Sequence, residues 1–214
     1  VEIGKRQLMT SRTHLIRLLC AMIPMLFLTA CVTERPATAQ PLRLYVFNCG
    51  SIEVLDVSVF HPGIGKDEHK TLANACYLVV HPNGSLLWDT GLPDGLVHTP
   101  QGKTFYNMFI FRVSRTLVAQ LQEIGHGPET VGYLGVSHMH ADHIGNVGLF
   151  PHATLLIQKE EYDAAFGPDA GKFGFDPALY SSLRSNPVKM LAGDHDVFGD
   201  GTVIIKRTLG HTPG

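Results

Sequence analysis

Apolar and polar positions alternate, or cluster in short runs, through the first half of the chain, which predicts β-strands. Residues 42–47 alternate between the two classes, as in a strand with one buried face. Residues 73–80 form a mostly apolar run, and the Asn-Gly pair at 83–84 is typical of a tight hairpin turn. We therefore predict that residues 73–80 form a hairpin with residues 85–88, and that residues 54–60 form a further strand.

The apolar spacing changes between residues 105 and 124. Here apolar side chains recur at every fourth position, a spacing that lines one face of an α-helix. The Gly-His-Gly-Pro sequence at 125–128 supplies a helix stop. This pattern predicts a single helix over residues 105–124, with a buried face formed by Phe109, Val113, Leu117 and Leu121.

Strands and helices alternate over the rest of the chain. An apolar run at residues 131–136 predicts a buried strand directly before the most polar motif of the sequence. Strands followed by alternating elements predict a layered α/β domain. The remaining predicted elements are strands at 153–157, 188–191 and 203–207 and helices at 159–166 and 177–184.

The first 40 residues have the pattern of an export signal. Basic residues up to Arg17 precede an apolar run at 18–30, which is shorter than the about 20 residues that cross a bilayer and is typical of a signal-peptide core. The run ends in Leu-Thr-Ala-Cys, which resembles the lipobox of bacterial lipoproteins and implies cleavage before Cys31 and lipidation of its sulfur. An Ala-Thr-Ala sequence leaves ordinary cleavage after Ala39 open.

Both cleavage sites predict an exported protein. The lipobox predicts a periplasmic or cell-envelope lipoprotein that meets the membrane only through the lipid on Cys31, whereas cleavage at Ala39 predicts a soluble product. The predicted organisation is a signal peptide at 1–30, a linker at 31–41 and a folded domain at 42–214.

Composition excludes one class of partner. The 214 residues are 44% hydrophobic and carry a formal net charge of -2, with no basic block, so we expect no nucleic-acid partner. Within the predicted folded domain, the cysteines are Cys49 and Cys76. Export permits a disulfide between them, whereas their strand-like surroundings are equally typical of two buried free thiols.

Residues 137–146 carry the candidate chemistry. Alternate residues at the end of a strand point the same way, so His138 and His140 can aim two imidazoles at one metal ion. Asp142 and His143 follow where the chain turns, and can face a second point nearby. Two adjacent nitrogen-rich sites with one carboxylate suit a hydrolytic zinc pair. The motif does not fit a zinc finger, because no cysteine pair lies near it.

Three motifs, taken in order, resemble the metallo-β-lactamase superfamily. They are Asp-Thr-Gly at 89–91, His-x-His-x-Asp-His at 138–143 and Gly-His-Thr-Pro-Gly at 210–214. Within the superfamily, residues 44–50, 76–93 and 158–165 are most similar to the N-acyl-homoserine lactonases. The resemblance runs from about residue 42 to 214. It implies an α+β chain folded as a layered αβ/βα sandwich, with metals bound between the loop ends of the sheets.

The resemblance also implies ligands and a reaction. His138, His140 and His211 would hold a first zinc ion, and Asp142 and His143 part of a second, with two ions in the complete protein. A metal-bound hydroxide would open the ring of a small-molecule substrate, an N-acyl-homoserine lactone. Destroying this signal molecule would amount to quorum quenching. Asp142 would be the catalytic residue that orients the hydroxide and passes a proton to the leaving alkoxide. We expect Asp89 to orient a ligand imidazole.

Two alternatives to a lactonase stay open. The same site suits the hydrolysis of a β-lactam or a thioester. The family pattern also places a bridging Asp and a further His downstream of the 210–214 turn, and no residue of this sequence matches them. The resemblance therefore implies a C-terminally truncated chain with a partial domain, for which an inactive metal-binding remnant is the other hypothesis. The other histidines of the domain are predicted to be surface or loop residues: His61, His69, His81, His98, His126, His152 and His195.

Overall fold

A mixed sheet of eight strands lies at the centre of the computed structural model, which describes residues 41–214. Its strands are β1 (Arg43–Val54), β2 (Lys70–His81), β3 (Gly84–Trp88), β4 (Lys103–Phe105), β5 (Phe109–Arg112), β6 (Tyr133–Gly135), β7 (Thr154–Gln158) and β8 (Val188–Leu191). Their order is β4-β5-β1-β2-β3-β6-β7-β8. Strands β3, β6, β7 and β8 run parallel, and the other neighbours are antiparallel. A separate pair joins β9 (His195–Asp196) to β10 (Ile204–Ile205).

Three α-helices accompany the sheet in this part of the chain: α1 (Leu117–Glu123), α2 (Lys159–Phe166) and α3 (Pro177–Tyr180). Short 3-10 helices lie at Val57–Val59, Asp94–His98, Pro128–Thr130, Val147–Leu149, Ala170–Phe173 and Ser181–Ser185. Between residues 41 and 214, none of the helices has the length and apolar character needed to cross a bilayer. The predicted signal peptide, the lipidation candidate Cys31 and the cleavage site at Ala39 lie outside the described residues.

The central strands bury both of their faces, which explains their nearly continuous apolar sequences. Leu87 and Leu155 pack into a large core shared with the three helices. Their neighbours Leu86 and Leu156 point to the opposite face, where they pack with residues from the β9–β10 region. The predicted layered fold of mixed strands and helices is therefore confirmed, and the 73–88 hairpin, the 159–166 helix and the 188–191 strand occur as predicted.

The predicted helix over residues 105–124 is wrong in its first half. Strands β4 and β5 form a hairpin there, and only residues 117–123 are helical. Tyr106 and Asn107 adopt left-handed backbone angles, with φ of 52° and 54°, which reverse the chain. The four-residue spacing misled because positions i and i+4 also share a face of a strand: Phe109, Phe111 and Val113 alternate along one face, next to β1.

The predicted strand over residues 54–60 is also wrong. Strand β1 ends at Val54, and the Asp56 carboxylate accepts a hydrogen bond from the Ser58 N–H at 2.9 Å. An aspartate that binds its own backbone two residues on favours a turn over a strand. Residues 57–59 therefore form a 3-10 helix.

Cys49 and Cys76 form a disulfide between β1 and β2, with their Cα atoms 5.8 Å apart. Cys49 occupies an irregularity of the β1–β2 register between Asn48 and Gly50. Both cysteines are buried. The structure therefore selects the disulfide from the two states that the sequence left open.

His81 differs from its prediction as a surface or loop residue. It lies at the end of β2, is buried, and stacks on Phe198 at a centroid distance of 4.1 Å. One ring nitrogen accepts from the Asn83 N–H at 3.0 Å, and the other lies 2.8 Å from the Asp200 carboxylate. These contacts tie the β2–β3 turn to the β9–β10 loop, and they give His81 a structural role away from the motif at 137–146.

Candidate metal centre

The candidate site forms where neighbouring strands of the sheet end. Asp89 directly follows β3, and the motif at 137–146 follows the parallel strand β6. His211 comes from the segment after β10. Because parallel strands present their carboxyl ends at one edge, the two motifs meet there although 48 positions separate Asp89 from Ser137.

Three imidazoles converge at this edge. One nitrogen from each of His138, His140 and His211 lies within 4.8 Å of the other two. The closest pair, His140 Nδ1 and His211 Nε2, is 3.0 Å apart. Nitrogens that share a tetrahedral zinc ion at the usual bond length lie about 3.3 Å from each other. The donor set therefore fits one zinc ion, and binding would draw the more widely spaced nitrogens closer together.

Neighbouring groups leave the converging nitrogens free to bind. His140 donates its Nε2–H to the Phe173 carbonyl at 2.8 Å, which leaves the Nδ1 lone pair facing His211. Burial, followed by the charges of His143, His140 and His211, lowers the pKa of His138 to about 3. His138 is thus neutral at physiological pH, the state in which an imidazole binds a metal.

A second group of polar residues adjoins this trio. His143 Nε2 lies 3.2 Å from Asp142 Oδ2, and the rings of His138 and His143 are 4.0 Å apart. Burial favours neutral His143, but hydrogen bonds to Asp142 and Asp89 outweigh it and raise the pKa of His143 to about 10. Burial likewise opposes the charge of Asp142, yet the hydrogen bond and charge of His143 lower the pKa of this carboxyl.

Asp89 holds Ser137 and His143 in place. The sequence predicted that it would orient an imidazole. Its carboxylate accepts hydrogen bonds from the Ser137 N–H at 2.7 Å, the Ser137 hydroxyl at 2.9 Å and His143 Nδ1 at 2.8 Å. Asp89 itself has a left-handed φ of 59°. The bond at Nδ1 leaves Nε2 of His143 as the ring nitrogen that faces Asp142.

Two close backbone contacts explain why glycines accompany these motifs. The Gly145 N–H donates to the Gly91 carbonyl at 2.8 Å. A Cβ on Gly145 would lie 2.3 Å from the Pro93 nitrogen, and one on Gly91 would lie 2.2 Å from the Cys49 Cβ. A side chain on Gly145 would therefore push the two loops apart, and one on Gly91 would collide with strand β1.

Asn146 locks the two loops together, a role that sequence reasoning missed. Its side-chain amide donates to the carbonyls of Thr90 and Leu92 at 2.7 and 2.8 Å, and its oxygen accepts from the Asp94 N–H at 2.8 Å. Its side chain is buried. Asn146 ends the motif-bearing stretch, but no local pattern indicates partners 52 to 56 positions away.

A cavity of about 390 Å³ opens onto the histidines. His138, His140, Asp142, His143 and His211 lie at one end. The other walls come largely from the β4–β5 hairpin and from the turn at residues 57–60. They were not predicted from the sequence, because the hairpin lies in the stretch that was predicted as a helix over residues 105–124. The apolar lining consists of Ile52, Phe60, Leu72, Phe105, Tyr106, Phe109, Phe111 and Leu179.

Known proteins share this sequence pattern and fold. A family model described as "Metallo-beta-lactamase superfamily" matches residues 70–214. The chain is 31% identical over 185 residues to the N-acyl homoserine lactonase AttM of Azorhizobium caulinodans, covering 81% of this chain and 68% of that protein.

Two solved structures have a similar fold. One is an N-acyl homoserine lactone hydrolase with the product N-hexanoyl-L-homoserine bound at its catalytic metal centre, with a TM-score of 0.65 and 27% identity. The other is a variant of Bacillus thuringiensis AiiA with N-decanoyl-L-homoserine bound at the active site, with a TM-score of 0.66 and 27% identity. Each likeness covers 80% of this chain and 67% of the solved one.

Proposed function

The chain belongs to the metallo-beta-lactamase superfamily, and from this premise we propose that it is a zinc-dependent lactonase that opens the ring of N-acyl-homoserine lactones. Its broader class, a metal-dependent hydrolase, follows from the family and from its lactonase relatives. The chain spans about two thirds of the length of these relatives.

The observation that carries the proposal is the contrast between the two ends of the cavity. Five metal-binding types of side chain cluster on one part of the wall, whereas aromatic and aliphatic side chains, together with Asp176, line most of the rest. An N-acyl-homoserine lactone has the same division, with a polar ring ester and an apolar acyl chain. A volume of about 390 Å³ lies within the range of small-molecule sites. The relatives solved with N-hexanoyl- and N-decanoyl-L-homoserine support the same substrate class.

In this proposal the zinc ligands are those predicted from the sequence. His138, His140 and His211 hold one ion, and Asp142 and His143 contribute to a second. Bound zinc supplies Lewis acidity, which polarises a carbonyl and lowers the pKa of a coordinated water to about 7. The apolar walls hold the acyl chain and exclude bulk water from the ester.

Asp142 is the proposed proton carrier. Its lowered pKa keeps the carboxylate ionised at neutral pH, and its side chain lines the cavity. The carboxylate accepts a proton from the attacking water at an Oδ atom while the new carbon–oxygen bond forms. It returns the proton to the alkoxide when the ring carbon–oxygen bond breaks, so the product is the open-chain hydroxy acid. In the metal-free site, the carboxylate lies 3.2 Å from His143 Nε2.

Two substitutions test the proposal, with a third as control. We expect His140→Ala and Asp142→Ala to abolish hydrolysis of N-hexanoyl-homoserine lactone and to lower the zinc content. His152→Ala removes an exposed histidine outside the cavity and should leave both unchanged. Full turnover with normal zinc content in either of the first two variants would refute the assignment. A parallel panel of β-lactams and thioesters identifies the substrate class if lactones are not turned over.

We also propose that the protein is exported, as a lipoprotein anchored at Cys31 or, alternatively, as a soluble protein cleaved at Ala39. The Cys49–Cys76 disulfide supports export, since disulfides persist in oxidising compartments and are rare in the cytosol. Cell fractionation with a Cys31→Ser variant tests both parts. Membrane association that Cys31→Ser abolishes supports the lipid anchor, whereas an unprocessed cytosolic chain would refute export.

A further inference from the structure

Glu161 is a buried carboxylate that sequence reasoning did not assign to the site. It lies in the first turn of α2, directly after β7, and is only 1% exposed. It forms no salt bridge among the residues that the structure describes. An ionised carboxylate is costly to bury unless other groups satisfy both of its oxygens.

The two oxygens of Glu161 bind two different segments of the metal centre. Oε1 accepts a hydrogen bond from the Met139 N–H at 2.9 Å, and Met139 lies between His138 and His140. Oε2 accepts from the Gly214 N–H at 3.1 Å. Gly214 lies in the turn that carries His211. One side chain therefore joins the two backbone segments that supply all three converging imidazoles.

Close packing fixes the separation between α2 and the His211 turn. A Cβ on Gly214 would lie 2.5 Å from the Glu161 nitrogen, 2.6 Å from the Glu161 Cβ and 3.0 Å from the Gln158 Cβ. The turn can therefore sit directly on the helix only because residue 214 has no side chain. This contact is independent of the hydrogen bond and places the same two residues against each other.

The geometry points to Glu161 as a positioning residue that sets the distance between the His138–His140 pair and His211 before the metal binds. Only a carboxylate satisfies both N–H groups, because an amide of the same shape offers one acceptor oxygen and would oppose the second N–H with its own donor. This inference deepens the proposed function and rests on the metal site that it assigns.

The test measures zinc affinity rather than turnover. Wild type, Glu161→Gln and Asp163→Asn are compared by competition with a chromogenic chelator, and the fold of each metal-free protein is checked by circular dichroism and thermal unfolding. Asp163 provides the matched control, since it undergoes the same carboxylate-to-amide change on the exposed side of the same helix. We expect Glu161→Gln to weaken zinc binding at least tenfold while remaining folded, and Asp163→Asn to stay within twofold of wild type.

A merely structural role gives a different result. Glu161→Gln would then lower the unfolding temperature while the folded protein kept wild-type zinc affinity, and that outcome overturns the inference. A His211→Ala background separates placement from charge. We expect the effect of Glu161→Gln to shrink there, because the turn no longer carries a ligand, whereas an equal loss in both backgrounds would mean that Glu161 acts through its charge alone.

If Glu161→Gln fails to fold, Gly214→Ala replaces it. This variant keeps the carboxylate but forces the turn away from α2, so weaker zinc binding supports the inference and unchanged binding overturns it. The outcome is distinguishable from failure of the proposed function. A wild-type chain that binds zinc but opens no lactone refutes the lactonase and leaves the role of Glu161 standing, whereas a chain without zinc affinity overturns both.

Discussion

Replacing Asp89 by Asn should disable His143 as a metal ligand while leaving the shape of the site intact. The Asp89 carboxylate accepts from the Ser137 N–H through Oδ1 and from His143 Nδ1 through Oδ2. Asn keeps one acceptor for Ser137 but presents an NH₂ group to the imidazole. In its neutral form, which is the form that binds a metal, His143 then favours the tautomer that accepts at Nδ1 and carries its proton on Nε2. That nitrogen faces Asp142 at 3.2 Å and is the proposed ligand atom.

The size of the effect follows from the contacts that change. A hydrogen bond to a charged group contributes about 1.5–3 kcal/mol, so the metal-free variant should lose free energy of unfolding of that order. Loss of a carboxylate that orients a ligand histidine typically weakens metal binding by about 10- to 100-fold, or about 1.4–2.7 kcal/mol. We expect this loss for the zinc ion that His143 helps to hold. The affinity for the ion held by His138, His140 and His211 should change far less, because Asp89 bonds to Ser137 and His143 rather than to these imidazoles.

Zinc titration of the metal-free protein against a chromogenic chelator resolves the two binding steps. Asp196→Asn is a suitable control. The Asp196 carboxylate also accepts two hydrogen bonds, but its donors are the backbone N–H groups of Gly199 and Gly201 and not an imidazole. Circular dichroism establishes that the variants are folded. Wild-type affinity for both ions in Asp89→Asn would refute the claim that the carboxylate selects the His143 tautomer.

Three further changes test the surroundings of the site. Tyr106→Asn removes an exposed ring that lines the cavity and keeps a residue that tolerates left-handed backbone. We expect KM to rise about three- to tenfold for N-decanoyl-homoserine lactone but not for the N-butyryl substrate. An equal change in KM for both would contradict an acyl-chain contact. Replacing both Cys49 and Cys76 by Ser opens a cross-link with a sequence separation of 27. It should lower the free energy of unfolding in urea by about 3.5 kcal/mol and remove any response to reductant, which wild type should retain. Asn146→Ala leaves buried backbone groups of both loops unpaired and should cost about 2–4 kcal/mol in urea unfolding, whereas a loss below 1 kcal/mol would mean that the loops hold together without it.

The sequence predicted best those features that neighbouring positions determine. Residues 138–143 lie together in the chain, and the structure brings the side chains of this motif to one edge of the sheet with His211; their metal-binding roles stay predictions. The helix at 159–166 follows from composition and spacing within a single element. The β4–β5 hairpin was missed because its turn depends on left-handed backbone at Tyr106 and Asn107. Neither residue type requires that conformation, so the sequence does not indicate the turn.

The cavity was also not predicted, because its walls depend on the β4–β5 hairpin. Phe105, Phe109 and Phe111 line it only because the hairpin places their strands beside β1. Interpreted as helical, this stretch placed Phe109 on a buried stripe with Val113, Leu117 and Leu121. The prediction of this cavity wall thus depended on a choice between the helical and the strand period, which a four-residue spacing cannot distinguish.

The contacts that hold the candidate site together share a different origin, which is the order of parallel strands. Asp89 follows β3, His138 and His140 follow β6, and Glu161 follows β7, and these three strands are adjacent and parallel. Each strand therefore delivers its next residues to the same edge. There, Asp89 contacts the His143 imidazole from one side, and Glu161 accepts from the Met139 N–H on the other. The histidine motif can be identified from its spacing alone. Its supporting carboxylates lie 22 and 54 positions away, and only strand order brings them into contact with it.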